Sequence, residues 1–557
     1  MDSSFSSNLY PKLLILIGAL YFLFGPIDIM DIDAAQYASI SREMLETGNY
    51  LQVHQRGHDY LDKPPLLFWL ASTSFNLFGI NNFTYKLPAV LILLLGLFST
   101  YKAARLFYSE HVAGSAMLIL ASTEAYLLMV NDVRTDGILT GFTIFSVWQL
   151  LEYIKSNKWS HFLLAALGIG LAMLSKGPLG AIIPAIAVGG HLLYKRDFKT
   201  IFQAKWLLIP LIVLVILSPM LYGLYQQYDL HPEKEVYGLQ GPSGIKFFFW
   251  TQSFGRITGE IYWKDDSSPF FFLNSMAWDA QPWYIVGWIA LVYTLILLIK
   301  NLNKPEKMPE AWTLAGFIIP FLALSSSNYK LPHYIFPLLP YFSIILAQFF
   351  LNKLPTFKPS IKNSIYIIQS LPLFLFPILV AFISIYAFEL AWWKFLLLSL
   401  LYIVLFYFIS KAKKPKETKI IRLNVMASFW AGIFLALHFY PNLLKYQGTA
   451  QIGKWAHENN IGNRDLFVVD AHSFSFDFYG HRSTPFIAYE ALDELDNGQY
   501  ITVTRATYLD IQVHRPGQFE VEKSFPNYSV SLLKLGFLNS STRAENIDSV
   551  YVLKKLF

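Results

Sequence analysis

Long apolar segments separated by short polar connections fill most of the first 440 residues of the chain. Crossing the hydrocarbon core of a bilayer as a helix takes about 20 mostly apolar residues. The pattern therefore predicts about thirteen spanning helices. They are expected at residues 12–28, 84–104, 112–130, 137–154, 160–174, 178–194, 205–225, 280–299, 312–326, 333–351, 364–387, 393–410 and 423–440.

Lysine and arginine collect in every second connection between these segments. The basic connections are KAARLFYSEH (102–111), KSNKWS (155–160), YKRDFK (194–199), KNLNKPEK (300–307), LNKLPTFKPSIK (351–362) and KAKKPKETK (411–419). Short loops rich in Lys and Arg stay in the cytoplasm. The pattern places the N-terminus inside, and it places the first loop, the loop 226–279 and the tail after residue 445 outside.

Composition agrees with a multi-pass membrane protein. The chain is 54% hydrophobic and 15% charged, against about 25% charged residues in a soluble domain. It contains no cysteine, which excludes disulfides and thiol chemistry. The net charge of +6 is explained by cytoplasmic anchoring residues, so nucleic acid is not an expected partner. The first apolar segment has no small-residue cleavage site and is predicted to be retained.

The tail has a different pattern. Short apolar segments such as LFVVD, PFIAY and YITVTR alternate with polar turns, and a helix is expected at 448–458. The predicted fold class is a polytopic α-helical membrane protein with a small C-terminal soluble α/β domain. The predicted boundary separates a membrane domain, 1–444, from an outer domain, 445–557.

The first outer loop predicts two helices that lie on the membrane surface. In the first, at about 33–47, Asp33 is the expected N-cap and Gly48 the stop. The second, at about 64–78, follows the charged pair of YLDKPPLLFWL and begins at two prolines. A surface anchor and a binding site are both compatible with this pattern.

Five motifs in this order resemble one family. DIDAAQYASISREMLETGNY, YLDKPPLLFWL, RTDGILT (134–140), SKGPLG (175–180) and NYKLPHYIFPLLP (328–340) are similar to motifs of the polyprenol-dependent C-type glycosyltransferases. The pattern resembles both the bacterial lipid A aminoarabinose transferases and the dolichyl-phosphate-mannose protein mannosyltransferases. The resemblance covers about residues 10–350, and no motif in the tail matches.

The resemblance implies a site for the phosphate of a lipid-linked sugar. Lys63 matches the lysine of the (E/D)KPP motif and is expected to hold the donor phosphate. Arg256 and Tyr334 match further phosphate-binding positions, and Lys330 lies in the same turn as Tyr334. Arg256 and Lys330 are equally compatible with contacts to lipid headgroups.

The resemblance also implies catalytic carboxylates. Asp33 is the candidate base or acceptor-orienting residue, and Asp136 is expected to orient Lys63 or the acceptor. As a simple alternative, Asp136 caps the fourth span. Candidates for acceptor binding or support of the site are Lys176, Asp62, His333 and Tyr37.

Of two departures from the family, the first leaves the site without one cation or pairing partner, and the second bears on a metal cofactor. Related proteins often have arginine where this chain has Gln36, and the long loop lacks the histidines often found near its arginine. Asp62 with Asp265 or Asp266 offers an all-oxygen site that favours Mg²⁺ or Mn²⁺. A site without a divalent cation is the other alternative.

The function that follows is inverting transfer of a single sugar from polyprenyl (undecaprenyl) phosphate to an acceptor at the periplasmic face of a bacterial inner membrane. Lipid A, a glycan and a protein all stay open as acceptors, as does the identity of the sugar. A lipid-linked sugar flippase and a non-catalytic lipid-binding assembly protein are the competing classes. Paired broken helices, which many transporters show, are not evident.

Overall fold

The computed structural model describes residues 9–252, 255 and 267–557. The long α-helices of the membrane part run over Leu9–Phe22, Asn82–Arg105, Glu110–Ala121, Glu124–Asn131, Thr135–Ser156, Trp159–Lys176, Leu179–Lys195, Leu208–Leu224, Tyr284–Lys300, Trp312–Ser325, Leu339–Gln348, Pro359–Ser370, Pro372–Phe382, Trp392–Lys411 and Lys416–Phe434. Each lies in a segment whose apolar run predicts a span.

Eight helices of the described residues are long and apolar enough to cross a membrane. The count becomes nine if Glu110–Ala121 and Glu124–Asn131, which meet at 56°, form one span. Several shorter apolar helices lie at the remaining predicted positions, among them Tyr284–Lys300 and Trp312–Ser325. A multi-pass helical architecture is confirmed, whereas the count of about thirteen spans stays a prediction.

The first loop contains both predicted surface helices. The first runs over Asp33–Thr47 and ends at Gly48, whose φ of 68° is the left-handed conformation expected at this position. The second runs over Leu66–Phe78 and follows Pro65. The prediction that Asp33 is the N-cap is wrong: Ile32 occupies that position without a side-chain bond. The Asp33 carboxylate has a different partner, described below.

Close helix contacts in the membrane part depend on glycine. A Cβ atom added at Gly141 would lie 2.5 Å from the backbone oxygen of Ile92. A Cβ atom at Gly180 would lie 2.4 Å from the backbone carbon of Ala172. The second contact packs Trp159–Lys176 against Leu179–Lys195 at the SKGP turn, which positions Lys176.

The tail forms a four-stranded sheet. Its strands lie in the order Leu466–Val468, Tyr500–Thr504, Asp548–Lys555 and Phe519–Asn527. The first pair is parallel and the other two pairs are antiparallel. The predicted helix at 448–458 is present as Gly448–Glu458. The PFIAY segment is not a strand, since only Phe486 forms a single bridge, with Val468.

The tail contacts the first loop through charged and polar groups. Ser475 donates to Asp31 from its backbone nitrogen (3.1 Å) and its hydroxyl (2.5 Å). Lys454 pairs with Asp28 at 2.6 Å. Further along the loop, Arg56 pairs with the buried Asp477 at 2.5 Å. The contacts at Asp28 and Asp31 join the tail to the segment that leads directly into Asp33.

Candidate active site

Asp33 belongs to an ion-pair group centred on Arg134. Nη1 of Arg134 donates to Asp33 Oδ2 at 2.5 Å, and its Nε donates to Asp132 Oδ2 at 2.7 Å. Burial lowers the pKa of the guanidinium, but Asp132 and Asp33 outweigh that effect and raise the pKa above its usual value. Arg134 is therefore a permanent cation that holds the first carboxylate of the site in place.

Asp136 is a buried member of the same group. It lies in the first turn of the helix Thr135–Ser156 and accepts a short hydrogen bond from Nζ of Lys176. The side chains are 3% and 10% exposed, respectively. Arg134, not Asp136, occupies the N-cap position, so the interpretation of Asp136 as a cap is wrong.

His333 lies between the Arg134 ion pairs and the Asp136–Lys176 pair. Its Nε2 lies 3.7 Å from Asp136 Oδ2, and its Nδ1 lies 3.4 Å from Arg134 Nη1. The neighbouring residue, Tyr334, places its ring 4.2 Å from Nζ of Lys176. A continuous set of contacts thus runs from Asp33 through Arg134, His333 and Asp136 to Lys176 and Tyr334.

Lys63 reaches the site from the bend that precedes the second surface helix. Nζ of Lys63 donates a short hydrogen bond to the neighbouring Asp62. Lys63 also lines a cavity of about 170 Å³ together with Asp136, Lys176 and Tyr334. The other walls of this cavity are mostly aliphatic: Leu139, Leu179, Ile182, Ile183, Ile186 and Leu324. Two basic side chains, Lys63 and Lys176, therefore lie beside a mostly aliphatic cleft.

Tyr37 is a buried residue beside the site. It is buried, with its ring centroid 5.8 Å from that of Phe68 on the second surface helix. Burial raises the pKa of its hydroxyl, and the charges of Asp33 and Asp62 raise it further. Tyr37 therefore lies near both carboxylates, Asp33 and Asp62.

The remaining candidates lie apart from this group or outside the described residues. Lys330 is buried, but it donates to the carbonyl oxygen (3.1 Å) and hydroxyl (3.3 Å) of Ser267 and does not line the cavity. Arg256, Asp265 and Asp266 fall outside the described residues. Among the described residues, no three His, Cys, Asp or Glu side chains are grouped so as to hold a metal ion.

Arg134 is a functional candidate to which the sequence analysis assigns no role. The available signal is its position inside RTDGILT, between Asp132 and Asp136. An arginine next to two acids is typical of a locally paired charge, so the pattern does not show that Arg134 has a second partner, Asp33, 101 positions away.

Comparison with known proteins confirms the predicted resemblance. The family described as dolichyl-phosphate-mannose-protein mannosyltransferase matches residues 62–222. Undecaprenyl phosphate-alpha-4-amino-4-deoxy-L-arabinose arabinosyl transferase 2 of Proteus mirabilis is 28% identical over 339 residues, which cover 58% of this chain and 56% of that protein. A relative of the same kind from Wigglesworthia glossinidia brevipalpis is 27% identical over 352 residues. The chain matches little more than half the length of these curated relatives.

Solved structures show the fold. The crystal structure of ArnT from Cupriavidus metallidurans bound to undecaprenyl phosphate aligns with a TM-score of 0.72 over 98% of both chains, at 17% identity. The oligosaccharyltransferase of Archaeoglobus fulgidus aligns with a TM-score of 0.52 over 90% of this chain and 70% of its own, at 13% identity. The chain thus shares the fold of a C-type glycosyltransferase, and the relatives' names agree with the prediction of a glycosyltransferase.

Proposed function

We propose that this protein transfers a single pentosyl or hexosyl group from polyprenyl (undecaprenyl) phosphate to an acceptor at the periplasmic face of a bacterial inner membrane. The observation that carries the proposal is the cavity in which Lys63, Lys176 and Tyr334 adjoin aliphatic walls. A phosphate ester with an isoprenoid tail requires polar, basic groups for its phosphate directly beside an apolar surface for its tail. The names of the arabinosyl transferase relatives support the donor class.

Donor binding uses the lysines without breaking their existing pairs. Each ammonium group can donate three hydrogen bonds, and Lys63 and Lys176 each donate one to a carboxylate, Asp62 and Asp136 respectively. Both ammonium groups line the cavity, so a phosphate bound there lies within reach of their positive charge. The paired carboxylates fix the ammonium groups in position, so little side-chain entropy is lost when the phosphate binds.

The chemistry is one in-line displacement at C1 of the sugar. An acceptor oxygen attacks C1, the bond from C1 to the phosphate oxygen breaks, and the polyprenyl phosphate leaves with the bonding electron pair on that oxygen. This single step inverts the anomeric centre. Cations stabilise the charge that develops on the departing phosphate, which is the assigned role of Lys63.

The chemical class of the acceptor determines whether a proton must be removed from the attacking oxygen. If a hydroxyl attacks, Asp33 receives its proton as general base, and Arg134 holds the carboxylate in position. If a phosphate such as that of lipid A attacks, no proton is transferred and Asp33 orients the acceptor. Lipid A is the acceptor favoured by the resemblance to the aminoarabinose transferases, and a glycan or a protein hydroxyl is the alternative.

A reconstituted transfer assay tests the proposal. The protein is placed in liposomes with radiolabelled undecaprenyl-phosphate aminoarabinose and lipid A, and labelled lipid A is measured. We expect Lys63→Ala and Asp33→Asn to lower the rate by about a hundredfold or more. Lys523→Ala, a change at an exposed strand position in the tail, is the control and should leave the rate unchanged.

Two outcomes would contradict the proposal. If both variants are correctly inserted and still transfer the sugar at the wild-type rate, Asp33 and Lys63 have no role in the mechanism. Movement of labelled donor across the bilayer, without any labelled product for lipid A, glycan or protein acceptors, would favour the transporter alternative.

A further inference from the structure

A second elongated cavity lies away from the candidate active site. It has a volume of about 500 Å³ and shares no lining residue with the cavity at Lys63. Its walls come from four helices: Leu9–Phe22, Glu110–Ala121, Trp392–Lys411 and Lys416–Phe434. The helix Trp392–Lys411 has no buried residue, so it lies at the periphery of the protein. The groove that it lines is therefore accessible to lipids of the bilayer.

The polar groups of this groove gather at one end. Tyr10, His111, Thr418 and Arg422 line it, and each lies near the start of its helix. The first three form a chain: the Tyr10 hydroxyl is 3.1 Å from His111 Nδ1, and His111 Nε2 is 3.0 Å from the Thr418 hydroxyl. The rest of the lining is mostly aliphatic and aromatic, including Ile17, Leu20, Leu401 and Ile433.

The apolar part of the groove has about the length of one leaflet. On the helix Lys416–Phe434, Thr418 lies at the polar end, and the mostly apolar part extends from Arg422 to Ile433. At 1.5 Å per residue, the distance from Arg422 to Ile433 along the helix axis is about 16 Å. The hydrocarbon core of a bilayer is about 30 Å thick, so the groove accommodates an acyl chain of a single leaflet.

Arg422 supplies a charge that has no hydrogen-bond or ion-pair partner among the described residues. It is half-buried, and no hydrogen bond or ion pair joins its guanidinium to another residue of the described part of the chain. The adjoining loop adds the lysines Lys411, Lys413, Lys414, Lys416 and Lys419. The acid of this loop, Glu417, accepts a hydrogen bond from Tyr366. Glu110, next to His111, adds a second acid, and basic residues still outnumber acidic ones at the polar end.

We propose that this groove is a binding site for an anionic phospholipid. The guanidinium of Arg422 binds the phosphate through paired N–H donors, a geometry that matches phosphate oxygens. The nearby lysines favour a headgroup with net negative charge over a zwitterionic one. One acyl chain fills the aliphatic part of the groove. The site is separate from sugar transfer and does not depend on the proposed function.

Native mass spectrometry of the full chain in detergent micelles tests this site. The probes are phosphatidylglycerol and phosphatidylcholine with identical palmitoyl and oleoyl chains. We expect the wild type to retain one phosphatidylglycerol in preference to phosphatidylcholine, and Arg422→Ala to lower that preference by about fivefold. Lys300→Ala removes an exposed cation at the end of another span, outside the groove, and should leave the preference unchanged.

A second variant keeps the basic residues and fills the groove. Leu405→Trp lies on the peripheral helix and adds bulk to the wall without entering the protein core. It should lower retention of phosphatidylglycerol although Arg422 is intact. A wild-type preference in Arg422→Ala would overturn the proposal. So would full retention in Leu405→Trp, which also decides the matter if Arg422→Ala fails to fold.

Discussion

At the residue scale, the site is built from charges that are paired before any ligand binds. Asp33 with Arg134, Asp136 with Lys176, and Asp62 with Lys63 form three pairs in the candidate active site. A charge near lipid is costly unless it is hydrated, paired or used. Pairing therefore stabilises the empty site and also sets the direction in which each cation points.

The Asp136–Lys176 pair gives a prediction for stability. Removal of one member of a buried pair leaves an uncompensated charge, which costs about 3 kcal/mol. We expect Asp136→Asn and Lys176→Met each to lower the free energy of unfolding by about that amount, and the double variant to lose much less than the sum. Denaturant unfolding of the purified protein measures all three.

The control for this cycle is an exposed pair in the tail. Asp493, which is 65% exposed, pairs with Arg515, and Asp493→Asn should change stability by less than about 1 kcal/mol. Strictly additive losses for Asp136→Asn and Lys176→Met would show that their contact does not stabilise the protein.

At the element scale, the SKGP turn determines where Lys176 points. Gly177 adopts a positive φ of 74°, and Gly180 packs against the backbone of the preceding helix. Two helices of the membrane part thus meet at the turn without any side chain between them. The position of Lys176 depends on this contact, since the residue ends the first of the two helices.

Gly180→Ala tests this dependence. The added methyl group would lie 2.4 Å from a backbone carbon, so the helices must move apart. We expect a loss of about 2 kcal/mol in stability, together with reduced sugar transfer as Lys176 moves away from Asp136.

Gly189→Ala is the matched control on the same helix. A methyl group at Gly189 meets no atom within 4 Å, so this variant should keep wild-type stability and transfer or gain slightly in stability. Equal behaviour of the two variants would contradict the role assigned to the close contact.

Stacked histidines in the tail predict a dependence of stability on pH. The rings of His457 and His481 have centroids 4.3 Å apart, and burial, with smaller effects of His457 and Arg42, lowers the pKa of His481 from 6.5 to about 4. Between these values the unfolded chain binds more protons than the folded chain. Stability should therefore fall as the pH drops from 6.5 to 4, by about 1 kcal/mol after allowance for solvent screening.

Thermal unfolding across this pH range measures the effect. His481→Asn should flatten the dependence, and asparagine also tolerates the positive φ of 52° at this position. His514→Asn, at an exposed histidine, should keep the wild-type slope. An unchanged slope in His481→Asn would assign the pH dependence to other groups.

At the scale of the whole molecule, hydropathy predicted the location of the membrane helices, because the bilayer requires long apolar segments whatever their neighbours are. Both surface helices were also predictable, from proline and glycine at their ends. The motifs indicated Asp136, Lys176, Lys63 and Tyr334, which the structure brings to one cavity.

Contacts between distant segments were not predictable from local pattern. Asp31 and Ser475 are 444 positions apart, and no periodicity links them. The same reason explains why the predicted helix cap at Asp33 is wrong: a capping residue and the partner of a distant arginine have the same local sequence. Docking of the tail beside Asp33 is a tertiary effect of this kind.

The most direct test of the central claim is the affinity for undecaprenyl phosphate, measured at equilibrium with the purified protein. If Lys63 holds the lipid phosphate, Lys63→Ala will weaken binding by about tenfold or more, whereas Lys523→Ala will bind as the wild type does. Wild-type affinity in a folded Lys63→Ala protein would contradict the claim that this cavity is the donor site.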